Sequence, residues 1–193
     1  MVAGAMLAAL GPLLVVLALA VLLESGGPAF YKQERVGMHG RRFRIWKLRT
    51  MLVNNDEKAH REAAFKWFEG RQSSNGYKTL DDPRITRVGR VLRRTSLDEL
   101  PQMFNVLRGD MSIVGPRPAI TYELDLYEPE YFRRQEVPPG ITGLWQVSGR
   151  QNVSAGKMME LDLSYVRGAS LSLDLQILIK TGPAVIGSAL KAR

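Results

Sequence analysis

The sequence predicts an α+β, mainly helical protein in which a short membrane-embedded N-terminal segment precedes a compact basic domain. Three observations carry this. Met1 to Leu23 contains no charged residue. Leu100, Met103, Phe104 and Leu107 follow the i, i+3, i+4, i+7 spacing of a buried helix face. Phe43 to Met51 alternates apolar and basic residues, as a strand does. The chain has 193 residues, enough for one domain with a core of its own and something short besides.

The apolar run is long enough to cross a bilayer as one helix, and Glu24 is the first charge after it. It lacks the basic start and cleavage site of a secretory signal peptide. It is apolar all round, where a buried soluble helix shows a polar stripe. Gly11-Pro12 falls near its centre, and proline removes an N–H and crowds the preceding turn, so a kink or break is expected there. Two arrangements remain open: a kinked helix crosses the membrane, or two half-helices of about 16 Å each enter and leave by one face. Between Tyr31 and Thr50 lie Lys32, Arg35, Arg41, Arg42, Arg44, Lys47 and Arg49 against Glu34 alone. Such a basic flank stays cytoplasmic and attracts anionic headgroups.

Further along, 24–28 is a linker with turn chemistry. A strand or interfacial segment over 29–36, a turn at Met38-His39-Gly40 and a strand over 43–51 follow. Residues 55–69 read as a helix with Asn54 or Asn55 as cap and Asp56 and Glu57 in its first turn. Residues 70–79 form a polar loop, and Asp81-Asp82-Pro83 marks a turn or helix start. Arg84, Arg87, Arg90, Arg93 and Arg94 make one basic face if 85–92 is helical. A helix over 97–107 stops at Gly109. Gly115-Pro116-Arg117-Pro118 is a rigid loop, 122–134 a helix, and 138–143 another rigid loop. Residues 144–147 read as a short strand and 158–166 as a helix. The apolar stretch 173–190, broken at Gly182-Pro183, suits a membrane surface.

Composition excludes some chemistry. No cysteine is present, which removes thiol nucleophiles, disulfides and thiolate metal sites. His39 and His60 are the two histidines, too few for a histidine-based zinc centre. The formal net charge of +8 points to phosphates in a nucleic acid, a nucleotide or an anionic lipid.

The chemical centre is Arg93-Arg94-Thr95-Ser96-Leu97-Asp98-Glu99-Leu100-Pro101-Gln102. Ser96 to Glu99 matches a capping box, a common structural device. Pro101 favours Asp98 over Ser96 as the N-cap, because proline costs least in the first turn. An ionised Asp98 beside arginines can bind Mg²⁺ or attack an electrophilic phosphorus. Arg93, Arg117 and Lys47 are candidates to hold phosphate oxygens, and prolines on both sides fix the backbone of Arg117.

The chain resembles the monotopic polyprenyl-phosphate phosphoglycosyl transferases, the bacterial sugar transferase family, along nearly its whole length. The resemblance rests on Gln33-Glu34-Arg35-Val36-Gly37, Phe43-Arg44-Ile45-Trp46-Lys47-Leu48-Arg49-Thr50-Met51, Thr95 to Gln102, Ser112-Ile113-Val114-Gly115-Pro116-Arg117-Pro118, the stretch from Pro139 to Arg150, and Leu161-Asp162-Leu163-Ser164-Tyr165-Val166. It implies a re-entrant membrane helix-break-helix over 1–27 and a small catalytic domain with interfacial amphipathic helices over 28–193. The family often carries Ser-Pro at the membrane break; here Gly11 precedes Pro12, so a hydroxyl that can satisfy freed backbone groups is missing.

The resemblance also implies a reaction. Asp98 matches the nucleophile that attacks a UDP-sugar to give a phosphosugar-enzyme and UMP, and polyprenyl (undecaprenyl) phosphate then accepts the phosphosugar. Glu99 matches its partner, assisting Mg²⁺ binding or proton handling. Lys47, Arg93, Arg117 and Asp162 match active-site positions, Asp162 as a ligand of metal, substrate or an arginine. Gln146 and Arg150 lie in a family motif and are expected to bind substrate. Mg²⁺, bound through Asp98, is the expected cofactor. The expected place is the cytoplasmic face of the bacterial inner membrane, at the start of exopolysaccharide, capsule, O-antigen or glycoprotein assembly. Glucose, galactose and N-acetylated sugars are all compatible, with a plain hexose favoured. A membrane-tethered binder of anionic lipid or nucleic acid is the rival, but aromatic residues do not interleave with the basic ones as a base-stacking platform requires, so nucleic acid is not an expected partner.

Overall fold

The structure, a computed structural model, describes residues 2–52, 57–71, 82–149 and 153–191. Its elements in chain order are α1 (Val2–Ser25), β1 (Phe30–Val36), β2 (Arg42–Leu48), α2 (Glu57–Phe68), α3 (Arg87–Thr95), α4 (Met103–Leu107), β3 (Ser112–Val114), β4 (Ala119–Ile120), β5 (Gly140–Thr142), α5 (Leu144–Val147), α6 (Ala155–Gly168) and α7 (Leu171–Lys191). Shorter 3-10 helices cover Met38–Gly40, Leu97–Gln102, Thr121–Leu126 and Pro129–Glu136. The mixed, mainly helical class expected from the sequence is therefore present.

Two small sheets organise the domain. β1 lies between β2 and β4, antiparallel to both, with Phe30 opposite Leu48 and Val36 opposite Ala119. β3 and β5 pair in parallel, Val114 opposite Thr142. Backbone crowds backbone where they meet: a Cβ on Gly140 would stand 2.1 Å from the Gly115 nitrogen, so only glycine fits. Alternation on β2 buries Phe43 and Ile45 on one face, and Lys47 shares that parity.

The edge of β2 is closed by a side chain. Asn105 of α4, fully buried, accepts from the Trp46 N–H at 3.1 Å and donates to the Arg44 carbonyl at 2.8 Å. One amide thus does what a neighbouring strand would do for two main-chain groups.

α1 packs one stripe into the domain. Leu14 and Val21 are buried with Leu48 and Leu92, while Leu17, Ala18, Leu97 and Leu100 pack around them. Val15, Val16, Leu19 and Leu23 stay exposed on its other side. Glu24 receives the Arg87 and Val88 N–H groups at 2.7 and 2.9 Å, tying the end of α1 to the start of α3. Among the described residues, no helix is long and apolar enough to cross a membrane. α7 leaves Leu171, Leu175, Leu178, Ile179 and Ile186 exposed.

Several expectations are corrected. α1 runs without a break through Gly11-Pro12, and α7 runs through Gly182-Pro183. A proline costs one hydrogen bond and a local clash, and the main-chain ladder continues on both sides of it. The helix expected over 97–107 is a 3-10 turn followed by α4, which rotates Phe104 and Leu107 outward and buries Gln102 and Asn105. Ser96, in the left-handed region at φ 59°, ends α3 and starts that turn, so Asp98 lies inside it and is not the cap. Pro129 divides the helix expected over 122–134 into two 3-10 segments. The loop over 138–143 contains β5, and 144–147 is a helical turn, because pairing with β3 decides the first and the chain after Gly143 coils. The basic face of α3 is split: Arg87 and Arg90 face solvent, while Arg93 turns inward. The cap positions before α2 and most of the polar loop after it lie outside the described residues.

Candidate active site

Lys47 and Glu99 are brought together by packing rather than by proximity in sequence. The 3-10 turn Leu97–Gln102 lies against β2, and the Lys47 ammonium donates to Glu99 Oε1 at 3.0 Å. Both side chains are about a fifth exposed, at 22% and 21%, so the pair is reachable from solvent. Asp98 beside them is buried at 4% exposure. Leu97 and Leu100 anchor the turn in the apolar cluster under α1.

Arg93 reaches the same place from α3. A Cβ on Gly89 would stand 2.2 Å from the Thr50 carbonyl oxygen, so glycine alone lets the helix approach the end of β2 this closely. One turn later, Arg93 Nε donates to Thr50 Oγ1 at 2.9 Å. Burial pulls the Arg93 guanidinium below its ordinary value, and the Asp98 charge opposes that. Asp98 is the leading negative charge in the field of Arg93.

Arg117 stands in the turn between β3 and β4. Its guanidinium meets Glu123 at 3.3 Å, and Glu123, fully buried, also accepts the Ile120 N–H at 3.1 Å. Nearby, His60 of α2 and the Tyr122 hydroxyl share a hydrogen bond of 2.5 Å. Burial, then the charges of Arg117 and Arg35, hold the His60 imidazole down to about 4, with Glu123 pulling the other way and Arg93 adding to the depression. His60 is therefore neutral at physiological pH, beside arginines that can take anions.

Asp162 lies elsewhere than on a substrate surface. It is fully buried on α6 and pairs with Arg134 at 2.5 Å. Of the roles expected for it, partnership with an arginine is the one the geometry provides. Gln146 sits on α5 and turns back on its own loop, Nε2 3.5 Å from the Ile141 carbonyl. Arg150 lies outside the described residues. The structure thus gathers Asp98, Glu99, Lys47 and Arg93, sets Arg117 nearby around His60, and buries Asp162 against Arg134 and the Arg117 main chain.

Sequence reading missed Thr50, Asn105, His60, Tyr122, Glu123 and Arg134. Thr50 lay within a recognised motif but without a role. The other five carried no spacing signal, since each finds its partner only through tertiary packing.

Mg²⁺ commonly binds through one or two carboxylates together with substrate phosphates. Among the described residues no three acidic or histidine side chains converge as a metal cage. The adjacent carboxylates of Asp98 and Glu99, facing a place where arginines would hold phosphate, fit that sparser mode.

Arg93 and the Lys47–Glu99 pair stand beside a buried aspartate on a small mixed domain, an arrangement that can meet an anionic group. The chain belongs to the bacterial sugar transferase family, whose pattern it matches over residues 1–188. It is 45% identical over 187 residues to the exopolysaccharide production protein ExoY of Sinorhizobium fredii, covering 93% of this chain and 79% of that protein. It is 44% identical over 194 residues to the UDP-glucose:undecaprenyl-phosphate glucose-1-phosphate transferase of Caulobacter vibrioides, covering 96% of this chain and 67% of that protein. It is 45% identical over 163 residues to the undecaprenyl-phosphate galactose phosphotransferase of Salmonella typhimurium; the match covers 84% of this chain and spans about a third, 34%, of that relative.

Proposed function

We propose that this protein transfers a sugar 1-phosphate from a UDP-sugar to polyprenyl phosphate, undecaprenyl phosphate in bacteria, and releases UMP. Support comes from the relatives, two of whose names specify phosphosugar transfer involving undecaprenyl phosphate. The observation that carries the reading is Asp98, buried yet ringed by the Lys47–Glu99 pair and Arg93.

A carboxylate oxygen of Asp98 attacks the phosphorus that bears the sugar. A bond from that oxygen to phosphorus forms, and the bond from phosphorus to the bridging oxygen breaks. The electron pair leaves with UMP. The phosphate oxygen of the lipid then attacks the same phosphorus, which returns the Asp98 carboxylate and gives a lipid diphosphosugar. Splitting one transfer into two displacements suits two substrates of very different solubility. Arg93 and Arg117 hold phosphate oxygens and offset charge as it develops. Lys47 orients Glu99 and adds positive charge at the same place. Mg²⁺, held through Asp98 with Glu99 assisting, would supply further charge neutralisation on the diphosphate.

The exposed apolar sides of α1 and α7 support residence at a lipid surface. The basic flank around β1 and β2 supports the cytoplasmic face of the bacterial inner membrane, with 1–27 embedded and 28–193 catalytic. This step would open the assembly of an exopolysaccharide or related glycan. The test combines UDP-glucose or UDP-galactose, Mg²⁺ and polyprenyl phosphate. UMP release is expected, and Asp98→Asn should abolish it. Robust turnover by the Asn variant, free of deamidated protein, would end the nucleophile assignment.

A further inference from the structure

Arg134 is 3% exposed, and its donors are spent on three partners. Nε and Nη2 both donate to Asp162 Oδ2, at 2.9 and 2.5 Å. Nη1 donates to the Tyr127 hydroxyl. Nη2 also donates to the main-chain carbonyl of Arg117 at 2.9 Å. The side chain comes from the 3-10 helix Pro129–Glu136, its counter-charge from α6, and the carbonyl it holds from the turn between β3 and β4.

A buried ion pair adds little net stability over apolar packing of the same volume, so stability alone does not explain this one. What it does is geometric. The planar fork reaches a carboxylate, a phenol and a carbonyl at once, which the single ammonium of lysine cannot reproduce. Burial pushes the Asp162 carboxyl up; the Arg134 charge and hydrogen bond, then the Arg117 charge and main-chain N–H, pull it back. The Arg134–Asp162 pair therefore lies against both the carbonyl and the amide side of Arg117. On the other side of the same residue, Glu123 holds the guanidinium. Pro116 and Pro118 limit the backbone between these anchors.

We infer that Arg134 is a positioning residue for phosphate binding: by clamping the Arg117 main chain, it sets where the Arg117 guanidinium meets the diphosphate of the nucleotide sugar. Asp162 is then the anchor of that clamp, not a ligand of substrate or metal. The inference rests on the proposed function, since it assumes that Arg117 binds a substrate phosphate.

The experiment measures UDP binding by calorimetry and the KM for UDP-sugar, using the full chain with and without Arg117→Ala. Arg134→Lys should melt within a few degrees of the parent, weaken UDP binding and raise KM about tenfold, and change kcat much less. In the Arg117→Ala background the same substitution should change both by less than twofold. A merely structural residue would lower both backgrounds alike, and equal losses in the two would overturn the inference. So would unchanged UDP affinity in a well-folded Arg134→Lys. If Arg134→Lys fails to fold, Tyr127→Phe leaves the ion pair intact and loosens the clamp; a two- to fivefold effect that vanishes without Arg117 is expected, and one that persists overturns it. A parent protein that neither binds UDP nor releases UMP refutes the underlying reading and takes this inference with it. UMP release by the parent with independent Arg134 and Arg117 effects refutes the clamp alone.

Discussion

Lys47 on β2 and Glu99 in the 3-10 turn form a 3.0 Å ion pair across 52 residues of sequence, directly beside Asp98. The pair is partly exposed, so its worth to stability is small, about 1 kcal/mol or less. In the proposed reaction its value lies in fixing a charge next to the Asp98 carboxylate. Lys47→Met is expected to lower kcat/KM about 100-fold, the scale of losing one fixed charge stabiliser, with the melting temperature little changed. Glu99→Gln should also lower it, and the double variant should lose much less than the product of the two. Steady-state UMP release checks this; multiplicative losses would show that the two side chains act separately.

Gly89 is a second lever on the same site. Alanine is the better helix former by about 1 kcal/mol in an exposed helix. Here its methyl would meet the Thr50 carbonyl oxygen at 2.2 Å, where neither backbone can yield cheaply. Overpacking of this kind costs about 1–3 kcal/mol, so it outweighs the propensity gain. Gly89→Ala should lower the melting temperature and, by pushing α3 away, weaken the Arg93–Thr50 contact and turnover. A variant as stable as the parent would mean that α3 packs more loosely than its geometry shows.

His60 gives a pH dependence whose sign is fixed by its surroundings. Burial, then Arg117 and Arg35, oppose its charging, Glu123 favours it, Arg93 adds to the opposition, and Tyr122 bonds its ring. Its folded value of about 4 lies below the ordinary 6.5. The unfolded chain therefore binds the proton first as pH falls. Its contribution is fully present above about 6.5 and is lost between there and about 4. The loss amounts to about 3 kcal/mol. His60→Gln should remove this part of the acid sensitivity, so the stability difference between parent and variant should change across that window in denaturant titrations. A constant difference from pH 7 to pH 4 would contradict the placement of His60.

Much of the site was legible because its residues sit in contiguous stretches. Asp98-Glu99 announce themselves by adjacency and by the arginines before them, and Lys47 by its place in an alternating strand; Pro101 misled, since Ser96 and not Asp98 precedes the turn. The strand pair β1 and β2 was legible for the same reason, since alternation is a local signal. What stayed hidden depends on distant pieces meeting. β5 is a strand because β3 lies beside it, not because Gly-Ile-Thr favours one. The rotation at 97–107 follows from the left-handed Ser96, which no periodicity count reveals. At Pro12 and Pro183 the helices run on without a break, because each proline withdraws a single main-chain donor and leaves the rest of the ladder in place. For Asp162 the sequence left metal, substrate and an arginine open as partners, because a buried aspartate and a substrate-facing one are spelled the same way; packing supplies Arg134.

Asn105 carries the last prediction. Its amide satisfies the Trp46 N–H and the Arg44 carbonyl on the open edge of β2, the strand that presents Lys47. Asn105→Ala removes that partner from two part-buried groups that water can partly reach, at about 1 kcal/mol each, so a loss of about 2 kcal/mol is expected. Asn105→Asp keeps an acceptor for the Trp46 N–H but turns a donor into a charge facing the Arg44 carbonyl, with Asp110 also close. It should therefore be no better than alanine near neutral pH, despite being nearly isosteric. Asn105→Gln carries the right groups on a stem one methylene too long for a fully buried site, and should fall between the parent and alanine. Denaturant midpoints rank the four proteins. If Asp matches the parent, the Arg44 carbonyl does not need its donor, and the amide is not what closes this edge.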